Sequence, residues 1–294
     1  MLAELSIIAV RGIGIGAVYA IIAMSFNVVF SSSGILNFAQ GTMFILGGFA
    51  GYMVIGESVA SWPLWPAALL LATVIVAVVV TVQGALTLMP LKDSVEQHSW
   101  LISTMAVSVI LTATLMLVQG PYSWTVQSPI PSFTIFGMRT PAPYALAVVA
   151  MFFWYFVLRW FLNKTLTGLA ISAISQDMDA ARAAGLRVRR LQLLAFTISG
   201  VIVGSAGFIV APVVTLSADA GMRYVLHGFI AAVVGGIGSN GGAVLGGILL
   251  GLLSMFVTFQ LGGAYQDILS LVLLVAVLMI RPEGIFGRSS ARRV

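Results

Sequence analysis

The chain is 294 residues long, 60% hydrophobic and 8% charged, and it contains no cysteine. A soluble domain is roughly 45–50% apolar even when glycine is counted, so this composition excludes one, and apolar runs of about 17–25 residues leave no room for a soluble catalytic domain. The net charge of +5 does not mark a nucleic-acid binder, because one internal loop and the C-terminal tail together carry +6 and the remainder sums to −1; the missing cysteines remove disulfides, thiol nucleophiles and thiolate metal sites.

Leu5 to Phe30 is the first expected span, interrupted by Arg11 and by Gly12, Gly14 and Gly16. The opening MLAELSIIAVRG places Glu4 ahead of Arg11 without a basic start, so no cleaved signal peptide is expected. A nucleotide-binding reading of the glycines needs a preceding strand and an acidic residue about 20 positions further on. Neither is present, and Gly12-x-x-x-Gly16 reads as a helix-packing face. Ser31 to Gly41 (SSSGILNFAQG) is uncharged yet rich in hydroxyls, amides and glycine, and the apolar run Thr42 to Ile55 follows it. Two readings stay open here. One is a broken helix lining a cavity, since unwound backbone at membrane depth is tolerated only where protein or water satisfies it; the other is a short turn.

Glu57 to Pro66, with Trp62 and Trp65, reads as an interfacial belt. Ala67 to Met89 is a span ended by Pro90, and Trp100 to Val118 is the next. Between them Lys92, Asp93, Glu96 and His98 read as a solvated turn, because one histidine and two acids make a poor metal or acid/base site. Gln119 to Pro143 holds five of the ten prolines and a single charge, Arg139, which predicts an irregular outer loop. Tyr144 to Leu162 then leads into Asn163 to Arg190.

That loop carries Lys164, Asp177, Asp179, Arg182, Arg187, Arg189 and Arg190, a net +3 from five basic and two acidic residues. Each such charge costs roughly 2.5–3.5 kcal/mol at the centre of a bilayer on insertion scales, so the run is aqueous, and its sign places it in the cytoplasm. Leu166, Leu169, Ala170, Ala173 and Ile174 recur at helical spacing and predict a short amphipathic helix along the membrane surface. Asp177 is placed to cap a second helix, Met178 to Ala184, with Asp179 in its first turn and Gly185 just past its end. Two short capped helices make a docking knob rather than a plain connector.

Leu191 to Pro212 leads outward with Gly200-x-x-x-Gly204 on its face, and Asp219 and Arg223 mark the next outer turn. Val225 to Gly238, Gly241 to Gln260 (Gly242-x-x-x-Gly246, Gly247-x-x-x-Gly251) and Ile268 to Ile280 complete the spans. Three crossings here keep Arg281, Arg288, Arg292 and Arg293 in the cytoplasm, where the charge bias puts them, and counting backwards gives an outer N-terminus. The expected fold is an all-α polytopic membrane protein of about nine transmembrane helices, eight at the least and ten at the most, some of them discontinuous. It forms one transmembrane domain, 1–294, with a cytoplasmic loop at 163–190 and a cytoplasmic tail at 281–294.

Gly235 to Gly242 (GGIGSNGG) is a second interrupted segment, and paired breaks in the two halves of a transporter point to a central site, although the halves show no residue-level repeat. Asn37, Gln40 and Asn240 are the candidates for lining the pathway or supporting the breaks, with local backbone capping as the alternative for these amides. Gly34, Gly41, Gly238 and Gly242 are the candidates for the breaks and their packing. No phosphate-binding G-x-x-x-x-G-K-[ST] occurs, so the chain is not itself a P-loop ATPase. Glu57, Asp219 and Asp267 all fall at span ends, which leaves a proton- or Na⁺-coupled carrier without its usual intramembrane acid. His98 and His227 have no sequence-adjacent partners, which argues against an integral membrane enzyme. A stand-alone carrier or channel is the alternative reading; the capped basic loop argues for energy delivered by a separate ATPase.

Asp179-Ala180-Ala181-Arg182-Ala183-Ala184-Gly185 resembles the EAA-xxx-G pattern of ABC importer permeases, with Asp in place of Glu. GILNFAQG, from Gly34 to Gly41, resembles the G-x-x-N-F-A-x-G signature of branched-chain amino acid permeases, with Gln40 where many carry His, and GGIGSNGGAVLGG resembles their late glycine-rich signature. The likeness runs from beginning to end of the chain. It implies a permease subunit of an ABC importer for amino acids or a related small polar solute. It further implies a second homologous permease, two cytoplasmic ATP-binding subunits that hold ATP and magnesium, and a periplasmic binding protein, in a bacterial inner membrane. This chain would carry no cofactor or metal. Asp177, Asp179, Ala180, Ala181, Arg182 and Gly185 would form the coupling helix that meets the ATPase.

Overall fold

The computed structural model describes residues 2–56, 63–88, 99–128, 130–135, 138–281 and 283–287. The expectations for Glu57 and Trp62, for the turn with Lys92, Asp93, Glu96 and His98, and for Arg288, Arg292 and Arg293 lie outside the described residues. The elements are α1 (Leu2–Ser33), α2 (Gln40–Ile55), α3 (Trp65–Leu88), α4 (Ser99–Gln119), β1 (Phe133–Ile135), β2 (Met138–Thr140), α5 (Ala142–Lys164), α6 (Leu166–Gln176), α7 (Met178–Ala183), α8 (Val188–Val210), α9 (Ala220–Gly235), α10 (Asn240–Gln260) and α11 (Gln266–Ile280). Among the described residues seven helices are long and apolar enough to cross a membrane. α2 and α9 have 16 residues each, about 24 Å of helix, and fall short of a hydrocarbon core of about 30 Å. Each is preceded by a non-helical segment, and the seven long spans with these two short apolar helices agree with the all-α polytopic fold of about nine helices expected.

The packing shows what the two short helices are for. α1 runs antiparallel along α10, with Gly16 against Gly247 and Asn27 against Ser239. α8 runs antiparallel along α3 in the same manner, with Gly204 against Val76 and Phe196 against Gly84. α2 is parallel to α8, meeting it at Gln40–Ser199, Gly47–Gly204 and Gly51–Phe208. α9 is parallel to α1, meeting it at Tyr19–His227 and Ile22–Gly228. The α1–α3 and α8–α10 units therefore repeat each other in inverted orientation, a relation no residue-level match reveals. α2 and α9 meet at their first turns and run apart in opposite directions, with Gly41 against the Gly221 carbonyl and Phe44 against Tyr224. Gln40 lies beside Ser199, the midpoint of α8, so this meeting point is at mid-depth in the bundle.

Both short helices are thus half-helices, each reached through an unwound segment: 34–39 ahead of α2 and 211–219 ahead of α9. This corrects the pairing of breaks expected from composition. Gly235 to Gly242 is instead the tight turn from α9 to α10, where a Cβ on Gly235 or Gly242 would strike the other residue's carbonyl. Its glycines serve close approach, and the true partner of the first break, Ala211 to Asp219, contains no glycine to advertise it. The outer turn expected at Asp219 and Arg223 is also revised, since Arg223 lies inside α9. Gln119 to Pro143 is not wholly irregular: β1 and β2 pair antiparallel within it, and Trp124 bridges to Leu216 of the second unwound segment.

The core follows from this plan. Two-thirds of the α1 and α8 spans is buried (67% each), against 11% for α4 and 6% for the last span, so the two pseudo-equivalent central helices are enclosed while α4 and α11 stand at the periphery. Without a hydrophobic difference between helix and lipid, the enclosed contacts rest on backbone approach at small residues. A Cβ on Gly16 would sit 2.7 Å from the Gly247 carbonyl oxygen and 2.9 Å from the Ile248 Cα, both backbone and unable to yield. Gly16→Leu is expected to destabilise the bundle by about 1–3 kcal/mol or more, read as a lowered melting midpoint in mild detergent. Gly263→Ala, which meets nothing within 4 Å, is expected to leave the midpoint unchanged. Equal midpoints for the two would remove the α1–α10 glycine contact as a source of stability.

Candidate coupling and translocation site

The loop between α5 and α8 is built as its sequence suggests. Thr165 caps α6, its Oγ1 accepting from the Gly168 N–H at 3.0 Å. Asp177 ends α6 and caps α7, one carboxylate oxygen accepting from the Asp179 and Ala180 N–H groups at 3.0 and 2.9 Å. α7 stops at Gly185, whose φ of +82° suits a residue without Cβ. Leu186 N–H donates to the Ala181 carbonyl and Gly185 N–H to that of Arg182, the paired bonds of a Schellman stop. Ala181 is buried with Ile174 and Val188, flanked by Met178, Leu186 and Leu191, so the loop has a small core of its own.

This core sorts the predicted coupling residues. Ala181 faces inward and supports the knob, whereas Asp177, Asp179, Ala180, Arg182 and Gly185 are exposed. Asp179 and Arg182 pair at 3.0 Å with side chains 91% and 57% exposed, a surface pair that contributes little to stability and leaves both groups available to a partner. Of the apolar stripe expected on α6, Leu166 and Leu169 are exposed, while Ile174 is buried in the core of the knob.

Beneath the knob lies a cavity of about 830 Å³. Its walls come from the end of α1 (Ser31, Ser32), from α6 (Ile171, Ser175) and from the α9–α10 turn, and it reaches both Gly34 and Gly238. These two glycines, with φ of +69° and +86°, begin the first unwound segment and shape the α9–α10 turn, so the knob adjoins two places, the start of that segment and that turn. Asn27 of α1 ties the second place down: its Nδ2 donates to the Ser239 carbonyl (3.1 Å) and its Oδ1 accepts from the Gly238 N–H (2.9 Å).

Asn37 and Gln40 are wholly buried. Asn37 and Gln83 exchange two amide hydrogen bonds, of 2.9 and 2.6 Å, and Asn37 Oδ1 also accepts from the Ala39 N–H. Asn37 therefore caps the break locally and fastens it to α3. Gln40 Nε2 donates to Ser199 Oγ, while its Oε1 is buried with no hydrogen-bond partner. Thr42 Oγ1 pairs with Ser108 Oγ at 2.8 Å, which reaches the peripheral helix α4. Gly41 packs on Gly221 and Val225. Asn240, at the start of α10 by the knob-side turn, joins none of these bonds and keeps a buried, unpaired Oδ1. The structure brings Asn37, Gln40 and Gly41 together and leaves Gly238, Asn240 and Gly242 at the end of the bundle.

Sequence reading missed a second polar cluster. His227 is buried, stacks on Tyr19 with centroids 4.7 Å apart, and has Nε2 3.6 Å from Asp267 Oδ1. The signal was present in the spacing: Asp219, Arg223 and His227 follow at intervals of four, one stripe of a helix, but Asp267 comes from α11 and no local pattern links it. Among the described residues no group of histidines and acids is arranged to hold a metal.

The family described as branched-chain amino acid transport system / permease component matches residues 8–278. The chain is 27% identical to the high-affinity branched-chain amino acid transport system permease protein LivH of Salmonella typhimurium, over 97% of this chain and 96% of that protein. It is similarly 27% identical to the permease protein BraD of Pseudomonas aeruginosa, with the same coverage. The autoinducer 2 import system permease protein LsrC of Enterobacter sp. is 30% identical over 47% of this chain and 44% of its own length. No solved structure matches. With the match spanning the inverted bundle and the knob alike, the chain belongs to the family of branched-chain amino acid transport system permease components and is a transport permease subunit.

Proposed function

We propose that this chain forms, with a second homologous permease, the membrane pathway of an ABC importer for branched-chain amino acids. Two cytoplasmic ATP-binding subunits hold ATP and magnesium and hydrolyse the nucleotide. A periplasmic binding protein delivers the solute. The complex sits in a bacterial inner membrane with the knob and C-terminus cytoplasmic and the N-terminus periplasmic, the orientation favoured by the basic loop. Asp177, Asp179, Ala180, Arg182 and Gly185 contact the ATPase, and Ala181 holds them in place.

The observation that carries this reading is the knob itself, a self-supporting pair of capped helices with an exposed charged face, standing on a cavity that reaches both Gly34 and Gly238. A shift of the knob is thereby transmitted to the end of α1 and the start of α10. The half-helices α2 and α9, which meet at mid-depth, are the elements whose separation opens a path.

Purification of the tagged chain from its native membranes in mild detergent is expected to bring down an ATPase pair and a second permease. Gly185→Trp, which forces a bulky residue into a left-handed position, and the exposed charge reversal Asp179→Arg are both expected to lose the ATPase while the permease partner stays. A chain that purifies alone and still moves solute in vesicles would overturn the importer reading in favour of a self-contained carrier. Asn37→Ala strips partners from Gln83 and the Ala39 N–H and is expected to cost about 1–3 kcal/mol. It is expected to lower both melting midpoint and uptake, whereas Gln40→Leu lowers uptake. Unchanged uptake and unchanged solute preference in both variants would remove the first helix break from the transport path.

A further inference from the structure

Where α9 faces α11, a pocket of about 260 Å³ opens on the side of the bundle. Asp219, at the cap ahead of α9, and Arg223 and His227, on the stripe of α9 that continues from it, line one side, Asp267 lines the other from the start of α11, and Leu226 and Leu271 form the apolar wall. Its depth follows from its floor. His227 stacks on Tyr19, the middle of the Ser6–Ser33 span, and the Tyr19 hydroxyl accepts from Gln266 Nε2 at 2.8 Å. The cluster therefore lies within the membrane-spanning part of the bundle.

Three observations mark the pocket as a polar binding site. First, Asp and Arg side chains facing lipid each cost roughly 2.5–3.5 kcal/mol near the bilayer centre, so this face borders water or protein instead. Second, among the described residues neither Asp219 nor Arg223 has an ion-pair partner, although opposite charges at four-residue spacing are placed to pair. Third, the His227 side chain is only 3% exposed, yet its Nε2 makes no hydrogen bond. Its Nδ1 lies 2.8 Å from the Arg223 carbonyl, an acceptor only, so Nδ1 carries the proton and Nε2 is the atom presented to the pocket. Asp267 Oδ1 stands 3.6 Å from that nitrogen, too far to satisfy it.

We propose that this pocket is a contact site for a zwitterionic α-amino acid on its way through the permease, a reading that rests on the importer function above. The solute's carboxylate meets Arg223 and its ammonium lies between Asp219 and Asp267. Its aliphatic side chain lies against Leu226 and Leu271, and His227 Nε2 supplies the remaining polar contact. Each unpaired charge then gains a partner of opposite sign. An anion alone would leave the two carboxylates uncompensated, and a cation alone would leave Arg223 so. The second permease closes the open side, which places the site on the seam between the two.

The test uses the complete importer in proteoliposomes with leucine-loaded binding protein in excess, and reads radiolabelled leucine taken up per ATP hydrolysed. Arg223→Met and Asp267→Asn are each expected to lower that ratio at least tenfold while loaded binding protein still stimulates ATP hydrolysis. Arg223→Lys and Asp267→Glu are expected to recover it to within threefold. Wild-type ratios in both neutral variants would overturn the site and leave the importer reading standing, as would loss of ATPase stimulation in the charge-conserving pair along with the neutral ones, which marks a structural role. A wild-type complex that hydrolyses ATP but takes up no leucine would overturn the amino-acid assignment of pocket and importer together.

Discussion

Backbone hydrogen bonds cannot be left open in a hydrocarbon layer, and this fold gives up helix in two places at depth. Every other feature of the interior answers that constraint. In the first unwound segment Asn37 accepts from the Ala39 N–H and locks onto Gln83, so the missing helical bonds are replaced by side chains that also fix α3. In the second, Leu216 exchanges two backbone bonds with Trp124 of the long loop, which explains why a proline-rich excursion has to fold back over the bundle. The half-helices that follow meet because Gly41 has no Cβ to hold the Gly221 carbonyl away. Interrupted helices, glycine seams and buried amides are one device, in which polar backbone is carried to mid-depth and then covered by protein.

The parts of this plan that are periodic were legible in the sequence. Long apolar runs marked most of the spans, and the cap and the stop of α7 could be placed because Asp177 and Gly185 each act on backbone two or three positions away, whereas the Thr165 cap of α6 went unread. The GxxxG faces were legible for a similar reason, since small residues at four-residue spacing have few other uses in lipid. Long-range geometry was not. Composition drew attention to GGIGSNGG, whereas the equivalent of the first break is Ala211 to Asp219, whose unwinding depends on Trp124 and Leu216 rather than on glycine. The Asn37–Gln83 pair joins residues 46 apart, and His227 and Asp267 come from different helices. No local pattern encodes such meetings, which is why Asp219 and Asp267 read as span ends instead of as walls of one pocket.

The knob and the mid-depth contact are at different heights, and the connection between them is short. The end of α1 and the α9–α10 turn both border the cavity under α6, and Gln192 Nε2 of α8 donates to the Ser32 carbonyl at the same level. Displacement at the knob therefore meets the central helices α1 and α8 directly. These two are the most enclosed of the long spans, and a close-packed interior passes on a displacement instead of absorbing it.

Asn27 gives this arrangement a mechanical grain. By holding both sides of the Gly238–Ser239 peptide it binds α1, α9 and α10 into one piece, as the Asn37–Gln83 pair and the Gln40–Ser199 bond bind α2, α3 and α8 into another. Where α2 crosses α9, by contrast, the contact is glycine backbone and aromatic edge. The two blocks therefore meet at a smooth crossing at mid-depth and are pinned to each other at the knob end by the Gln192–Ser32 hydrogen bond, so a rocking of one block past the other that pivots at that end leaves the internal hydrogen bonds of each block intact.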